Sequence, residues 1–201
     1  MKQLLLATKN QGKIIEIKKA FSNLNDFEIE ILSLNDFPDM PDVIEDGETL
    51  DHNSLKKAKE IYDFSGIPTL ADDTGLEINS LNGAPGVYSA RFAGENCTYE
   101  DNNNKTLELL LNVPTEQRGA QFRTVITLYI SPNKIETTEG VLEGQIIKQK
   151  IGKKGFGYDP IFRPNGYNLT LAELDLDEKN KISHRGKAVA KMIKKIMMNH
   201  E

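Results

Sequence analysis

Apolar runs and helical stripes alternate through the first third of the chain. Leu4 to Thr8 predicts a short buried strand, and Ile14, Ile17 and Phe21 then recur at helical spacing from Gly12 onward, with lysines and glutamates between them. The chain therefore opens as strand, polar loop, helix. Glu28 to Leu32 alternates apolar and acidic residues as a strand does, and a loop rich in Asp and Pro follows from Asn35 to Gly47. From Leu50 to Phe64 a helix is predicted, with Leu55, Ala58, Ile61 and Tyr62 as its apolar stripe and Thr49 or Asp51 as its N-cap. Ile67 to Ala71 reads as another strand, its end running into Asp72-Asp73-Thr74-Gly75 and then a further apolar segment, Leu76 to Ile78. Tyr99 to Leu111 reads as a helix. Phe122, Thr124, Ile126, Leu128 and Ile130 form one face of a long strand paired with Glu136 to Leu142, in a second lobe. A last helix, Gly186 to Met198, sets Ala188, Met192, Ile193, Ile196 and Met197 on one face. Strands that alternate with helices early and adjoin one another later predict an α/β fold with a mixed sheet.

Composition narrows the function classes. A chain of 201 residues, 38% hydrophobic and 27% charged, is expected to fold as a single domain over 1–201. With 30 acidic against 25 basic residues the net charge is −5, which argues against a broad grip on nucleic acid or anionic lipid, so any anion site must be local. Cys97 is the only cysteine, which excludes an intramolecular disulfide and a cysteine-rich zinc site and points to the cytoplasm. The apolar run Leu4 to Ala7 is far shorter than a signal-peptide core and no stretch approaches a membrane span, so no membrane association is expected.

Four segments carry candidate chemistry. Thr8-Lys9-Asn10-Gln11-Gly12-Lys13 joins a strand to a helix, where backbone N–H groups and lysines can surround an oligophosphate; without the spaced glycines of a Walker loop, it reads equally as a solvated turn. Glu45, Asp72 and Asp73 offer hard oxygen ligands of the kind Mg²⁺ shares with water and substrate phosphates. Adjacent side chains on an extended backbone point to opposite faces, so Asp72 and Asp73 cannot both face one ion if the strand continues through them, and one is structural; the alternative is that the pair is simply a turn signal before Gly75. In Gly155-Phe156-Gly157-Tyr158-Asp159-Pro160-Ile161-Phe162, Phe156 offers a stacking surface and Asp159 an acceptor for the N1–H of a 6-oxopurine; the alternative is an aromatic turn anchoring the core through Tyr158 and Phe162. Lys179, Lys181 and Ser183-His184-Arg185 place cations before the last helix, where Arg185 can donate to a purine O6 or N7 or can simply line a basic helix entry.

In order along the chain, these segments resemble the inosine triphosphate pyrophosphatase family, the non-canonical purine nucleoside triphosphate (XTP/dITP) pyrophosphatases. The resemblance runs end to end and rests on Ala7 to Lys13 with Glu16, Ala71 to Leu76, Gly83 to Arg91, Phe156 to Pro160 and Ser183 to Arg185. It implies an elongated mixed sheet flanked by helices, two lobes around a central cleft, a homodimer, and hydrolysis of ITP, dITP or XTP to the monophosphate and pyrophosphate. By motif match, Thr8, Lys9, Asn10, Gln11, Gly12 and Lys13 hold the triphosphate with help from Lys57. Glu45 and Asp73 serve Mg²⁺, Asp73 is also the proton acceptor, and Thr74 contacts substrate. Phe156, Gly157, Tyr158, Asp159, Lys179, His184 and Arg185 form the base pocket. One departure stands out: the family's Glu-Asn-Ala at the opening of the second helix reads His52-Asn53-Ser54 here. Glu45, Asp46, Glu48 and Asp51 keep the neighbourhood acidic, so the exchange implies altered electrostatics around the site rather than lost activity. Two other readings stay open, a non-catalytic purine nucleotide sensor and a pyrophosphatase for other modified nucleotides.

Overall fold

The computed structural model of the protein describes residues 2–22 and 29–198. Its strands are β1 (Gln3–Leu6), β2 (Glu30–Ser33), β3 (Thr69–Ile78), β4 (Pro85–Gly86), β5 (Gly119–Ser131), β6 (Lys134–Ile146) and β7 (Phe162–Pro164); its α-helices are α1 (Gln11–Phe21), α2 (Leu50–Ser65), α3 (Tyr99–Leu109), α4 (Leu176–Ile182) and α5 (His184–Met198). The strands form one sheet in the order β2-β1-β3-β5-β6-β7, with β4 beside β3. β1 runs parallel to β2 and β3, whereas β3–β4 and β6–β7 are antiparallel, so the sheet is mixed, as expected. Glu28, expected in the second strand, lies outside the described residues.

The chain forms two compact units. The first comprises residues 1–73, 124–140 and 185–201, the second 74–123 and 141–184, and β3, β5 and β6 contribute to both. Strand alternation organises the first unit. Leu4, Leu6, Leu70, Ile126 and Leu128 point to one face and are covered by α1 and α5, through Ile14, Ile17, Met192 and Ile196. Leu5, Ala7, Ala71 and Tyr129 point to the other and meet Ala58 and Ile61 of α2. The second unit has its own core of Leu76, Ile78, Leu110, Phe122, Leu142, Ile146, Ile161 and Phe162.

Four expectations are corrected. β3 does not stop at Ala71 but continues through Asp72, Asp73, Thr74 and Gly75 to Ile78. Gly75 lies within the strand, at a position that requires glycine because a Cβ would lie 2.8 Å from the carbonyl oxygen of Gly86 on the paired strand. α5 begins at His184, two residues before Gly186, which puts Arg185 in its first turn. Leu55 and Met197, placed on apolar stripes, are 39% and 40% exposed, and Asn53, Ser54 and Lys57 take buried positions on α2. The short helix α4, with Asp175 as N-cap, was not foreseen.

Candidate active site

In the first unit, the loop between β1 and α1 is shaped by its own polar side chains. Thr8 Oγ1 accepts from the Asn10 N–H at 3.1 Å, and Asn10 caps α1, its Oδ1 accepting from the Lys13 N–H at 3.2 Å. Gln11 and Gly12 open the helix, where the leading N–H groups have no intrahelical acceptors and favour an anion. Lys9 reaches out to Asp42 at the surface, whereas Lys13 reaches inward to Asp72 at 3.0 Å. Burial holds the Lys13 ammonium below its usual range, an effect only partly offset by the Asp72 charge.

Because β3 continues through the two aspartates, they serve opposite faces. Asp72 shares the face of Leu70, toward α1 and α5, and there it meets Lys13 and Arg185: Arg185 Nε and Nη2 each donate to Asp72 Oδ2 at 3.1 Å, and Nη1 donates to Glu16 Oε2 at 2.5 Å. All four side chains belong to the first unit, and Glu16, Asp72 and Arg185 are almost wholly buried. Burial alone would raise the Asp72 pKa, but Lys13, Arg185 and Lys57 together hold it well below the ordinary carboxylate range. Asp73 shares the face of Ala71, toward α2, and accepts from Asn53 Nδ2 at 3.1 Å. Its burial, reinforced by the charge of Glu45 and opposed by Lys57 and Lys13, pushes its pKa up to about 6.

Glu45 is joined to Lys57 at 2.8 Å, whereas its neighbour Asp46 turns to Lys56 at the surface. Burial works against the Lys57 ammonium, but Glu45, Asp72 and Asp73 outweigh it and raise its pKa. The site thus holds cations facing two carboxylates, Glu45 adding to the burial that raises the pKa of Asp73. His52, the residue that departs from the family pattern, is exposed; its backbone N–H donates to the Thr49 cap.

In the second unit, the loop 155–159 closes on itself. Gly155 and Gly157 have φ of +72° and +63°, and a Cβ on Gly155 would lie 2.0 Å from Asp159 Oδ2, so this turn requires glycine at 155 on both counts. Asp159 Oδ2 accepts from the Phe156 N–H at 2.8 Å and from the Lys179 ammonium at 2.5 Å. Lys179 Nζ also lies 4.8 Å from the centre of the half-buried Phe156 ring. Asp159, expected as the acceptor for a purine N1–H, is 3% exposed, and its Oδ2 is engaged by the loop N–H and by the lysine. Tyr158, as in the aromatic-turn reading, is buried, and its hydroxyl donates to the Ser89 carbonyl at 2.8 Å. Asn103 Nδ2 donates to the Gly157 carbonyl at 2.9 Å. His184 is buried too, stacked on Phe122 with ring centres 4.5 Å apart. Thr74 is half-buried at the start of the unit.

Residues 4–195 match the Ham1 family. The chain belongs to the Ham1 family. A curated relative named dITP/XTP pyrophosphatase from Elusimicrobium minutum is 50% identical over 195 residues, 96% of this chain and 99% of its own length. Another of that name, from Geobacter sulfurreducens, is 47% identical over 190 residues, 94% of each chain. Among solved structures, a HAM1 protein from Coxiella burnetii superposes with a TM-score of 0.87 at 40% identity, covering 98% of this chain and all of its own. The resemblance read from the motifs and the mixed sheet are both borne out by these relatives.

Two polar residues of this Ham1 chain escaped the site assignment made from sequence. Glu16 stood in the first motif without a role, and Asn53 was noted only beside the His52 departure. The available signal was spacing: Asn53 falls on the buried face with Leu50, Lys57 and Ile61, and Glu16 stands beside Ile17 on the buried face of α1, where a charged or amide side chain needs a partner.

Proposed function

We propose that this Ham1 protein hydrolyses non-canonical purine nucleoside triphosphates, dITP, ITP and XTP, to the monophosphate and pyrophosphate. The observation that carries the reading is Asp73, a buried carboxylate on the α2 face of β3, held by Asn53 and facing the charges of Lys57, Glu45 and Lys13. A carboxylate is a weak base at neutral pH, so orientation of the water by Asp73 and its acidification by a metal share the work. The names of the two curated relatives support the same substrate class.

The loop Thr8 to Lys13 and Lys57 cradle the phosphates. Water adds to the α-phosphorus and gives its proton to Asp73; the bond from that phosphorus to the bridging oxygen breaks and pyrophosphate leaves, its charge met by Lys9, Lys13 and Lys57. Phe156 supplies a stacking face, held by Asp159 and Lys179, and Thr74, Gly157, Tyr158 and His184 are assigned to substrate contacts by the family resemblance. Arg185 acts from beneath, by fixing Asp72 and Lys13.

Mg²⁺ fits this donor set. Glu45 and Asp73 are hard oxygen ligands whose mutual repulsion a divalent cation relieves, and no cluster of three or more His, Cys, Asp or Glu able to hold a metal occurs among the described residues. Two carboxylates with water and phosphate oxygens suit Mg²⁺, which when bound offsets phosphate charge and acidifies the attacking water. The reading also takes the chain as one family domain built of two units, a homodimer, and cytoplasmic. The family resemblance supports the dimer, and the single cysteine supports the location. No helix among the described residues is long and apolar enough to cross a membrane.

The test is to incubate purified protein with dITP, ITP, XTP, GTP, ATP and UTP, with and without Mg²⁺, assaying pyrophosphate separately from phosphate. Mg²⁺-dependent pyrophosphate from the first three, well above the others, is expected. Orthophosphate as the product, or tight ITP binding without turnover, would overturn the proposal. Light scattering checks the dimer, expected at twice the 22.5 kDa protomer mass.

A further inference from the structure

Asn53 lies between the two carboxylates assigned to the metal. On one side its Oδ1 accepts from the Gly47 N–H at 2.8 Å, two residues beyond Glu45. On the other, its Nδ2 donates to Asp73 Oδ2 at 3.1 Å. The residue is 1% exposed, and its Cα is fixed in the first turn of α2 by the Asn53 N–H bond to the Thr49 carbonyl at 3.1 Å. Only an amide offers an acceptor and a donor from one short planar group, so one side chain grips the loop of Glu45 and the strand of Asp73 together. The fit is close: a Cβ on Gly47 would lie 2.6 Å from Asn53 Oδ1.

We infer that Asn53 is the positioning residue that sets the spacing of Glu45 and Asp73, and thereby the affinity of the site for a divalent cation. The inference rests on the metal assignment made above. It follows from the long loop 37–49, whose acids have no regular structure to place them, while Asp73 is fixed in β3. Groups that orient metal ligands from behind typically alter metal affinity about 10–100-fold when removed.

The test measures Mn²⁺ binding by electron paramagnetic resonance on the full-length protein without nucleotide, alongside kinetics at varied Mg²⁺. Asn53→Ala is expected to weaken Mn²⁺ binding about tenfold or more. It should lower kcat at fixed Mg²⁺ with little change in KM for dITP, and added Mg²⁺ should recover part of the rate. Gly47→Ala, which displaces the amide without removing it, should act in the same direction and covers the case that Asn53→Ala fails to fold. In a double-mutant cycle with Asp73→Asn, the effect of Asn53→Ala on Mn²⁺ should largely vanish. If Glu45→Gln and Asp73→Asn weaken Mn²⁺ binding but folded Asn53→Ala and Gly47→Ala do not, the inference is overturned and the metal assignment stands. If Glu45→Gln and Asp73→Asn leave Mn²⁺ binding unchanged, the metal assignment itself falls.

Discussion

Replacing Arg185 by methionine removes one guanidinium from between two carboxylates that are both out of water, while keeping most of the side-chain volume. Glu16 is 4% and Asp72 1% exposed; Asp72 keeps Lys13 at 3.0 Å, but Glu16 loses the ion pair at 2.5 Å. Deleting one partner of a buried pair costs about 3–5 kcal/mol because the remaining charge is left poorly compensated. For a protein of this size that corresponds to a fall in Tm of roughly 6–20 °C, measured by calorimetry or circular dichroism. Urea unfolding gives the free energy, and the double variant Glu16→Gln/Arg185→Met should recover much of the loss, since an apolar or neutral replacement of both members is tolerated far better than half a pair. Arg185→Lys should fall between, because one ammonium cannot span two acceptors as the planar fork does.

The pH dependence of this loss has a definite sign. Asp72 is depressed in the folded state, so its contribution is present above the unfolded value of about 3.9 and is lost as pH falls through the folded one. The gap between wild type and Arg185→Met is therefore larger at pH 7 than below pH 4. A loss under about 1 kcal/mol at pH 7, the scale of an exposed ion pair, would refute the reasoning, as would a double variant no more stable than the single one. The same variants decide what Arg185 does for substrate. If it acts through Asp72 and Lys13, Arg185→Lys lowers turnover of dITP and dGTP in proportion; contact with the purine edge would instead change their ratio.

Asp73→Asn should reduce kcat about 100-fold or more, with circular dichroism unchanged. It should also stabilise the metal-free protein at pH 7.5: an acid whose folded pKa is raised to about 6 favours folding below the unfolded value near 4, and that contribution is lost as pH rises through 6, so wild-type metal-free stability should fall across this window while the variant's does not. Lys179→Met should raise KM for dITP about tenfold by releasing Asp159 and the Phe156 loop, yet leave inhibition by tripolyphosphate unchanged; equal weakening of both would place Lys179 at the phosphates. Gly155→Ala should have the same kinetic signature and lower Tm as well, because the added Cβ meets Asp159 Oδ2 on a left-handed backbone.

Much of the architecture was legible because it rests on periodicity. The alternation from Phe122 to Ile130 predicts β5, and the stripe Ile14, Ile17, Phe21 predicts α1, each within a few residues. What failed was the reading of polar residues within those patterns. Asp72-Asp73-Thr74-Gly75 has the composition of a turn, but it runs as strand with Asp72 paired to Lys13 and Arg185, one near the start of the chain and the other near its end. The α2 stripe was assigned by apolar content, so Leu55 was placed inside and Asn53 passed over, although burial there follows the chemistry of Asp73 and Glu45 rather than hydrophobicity. The contact of Asp159 with Lys179 was not legible, because the lysine sits 20 residues later on a helix with little apolar pattern of its own.

The two adjacent aspartates show how one local rule generates the site. A continuous strand sends neighbouring side chains to opposite faces, and the first unit covers those faces with different helices. On the α1 and α5 side, Asp72 meets Lys13 and Arg185, so its charge is fixed and it serves as an anchor that keeps Lys13 in place at the phosphate loop. On the α2 side, Asp73 is buried in the field of a second carboxylate, which the Asn53 amide and the nearby lysines only partly offset, so its charge is disfavoured and becomes available to whatever brings positive charge, a proton or a divalent cation. Had β3 ended at Ala71, both carboxylates would have been free to turn toward the same cations, and the division into one structural and one reactive group would not have followed. Inserting a single residue between Leu70 and Asp72 would exchange their faces, and should abolish turnover even though both acids remain.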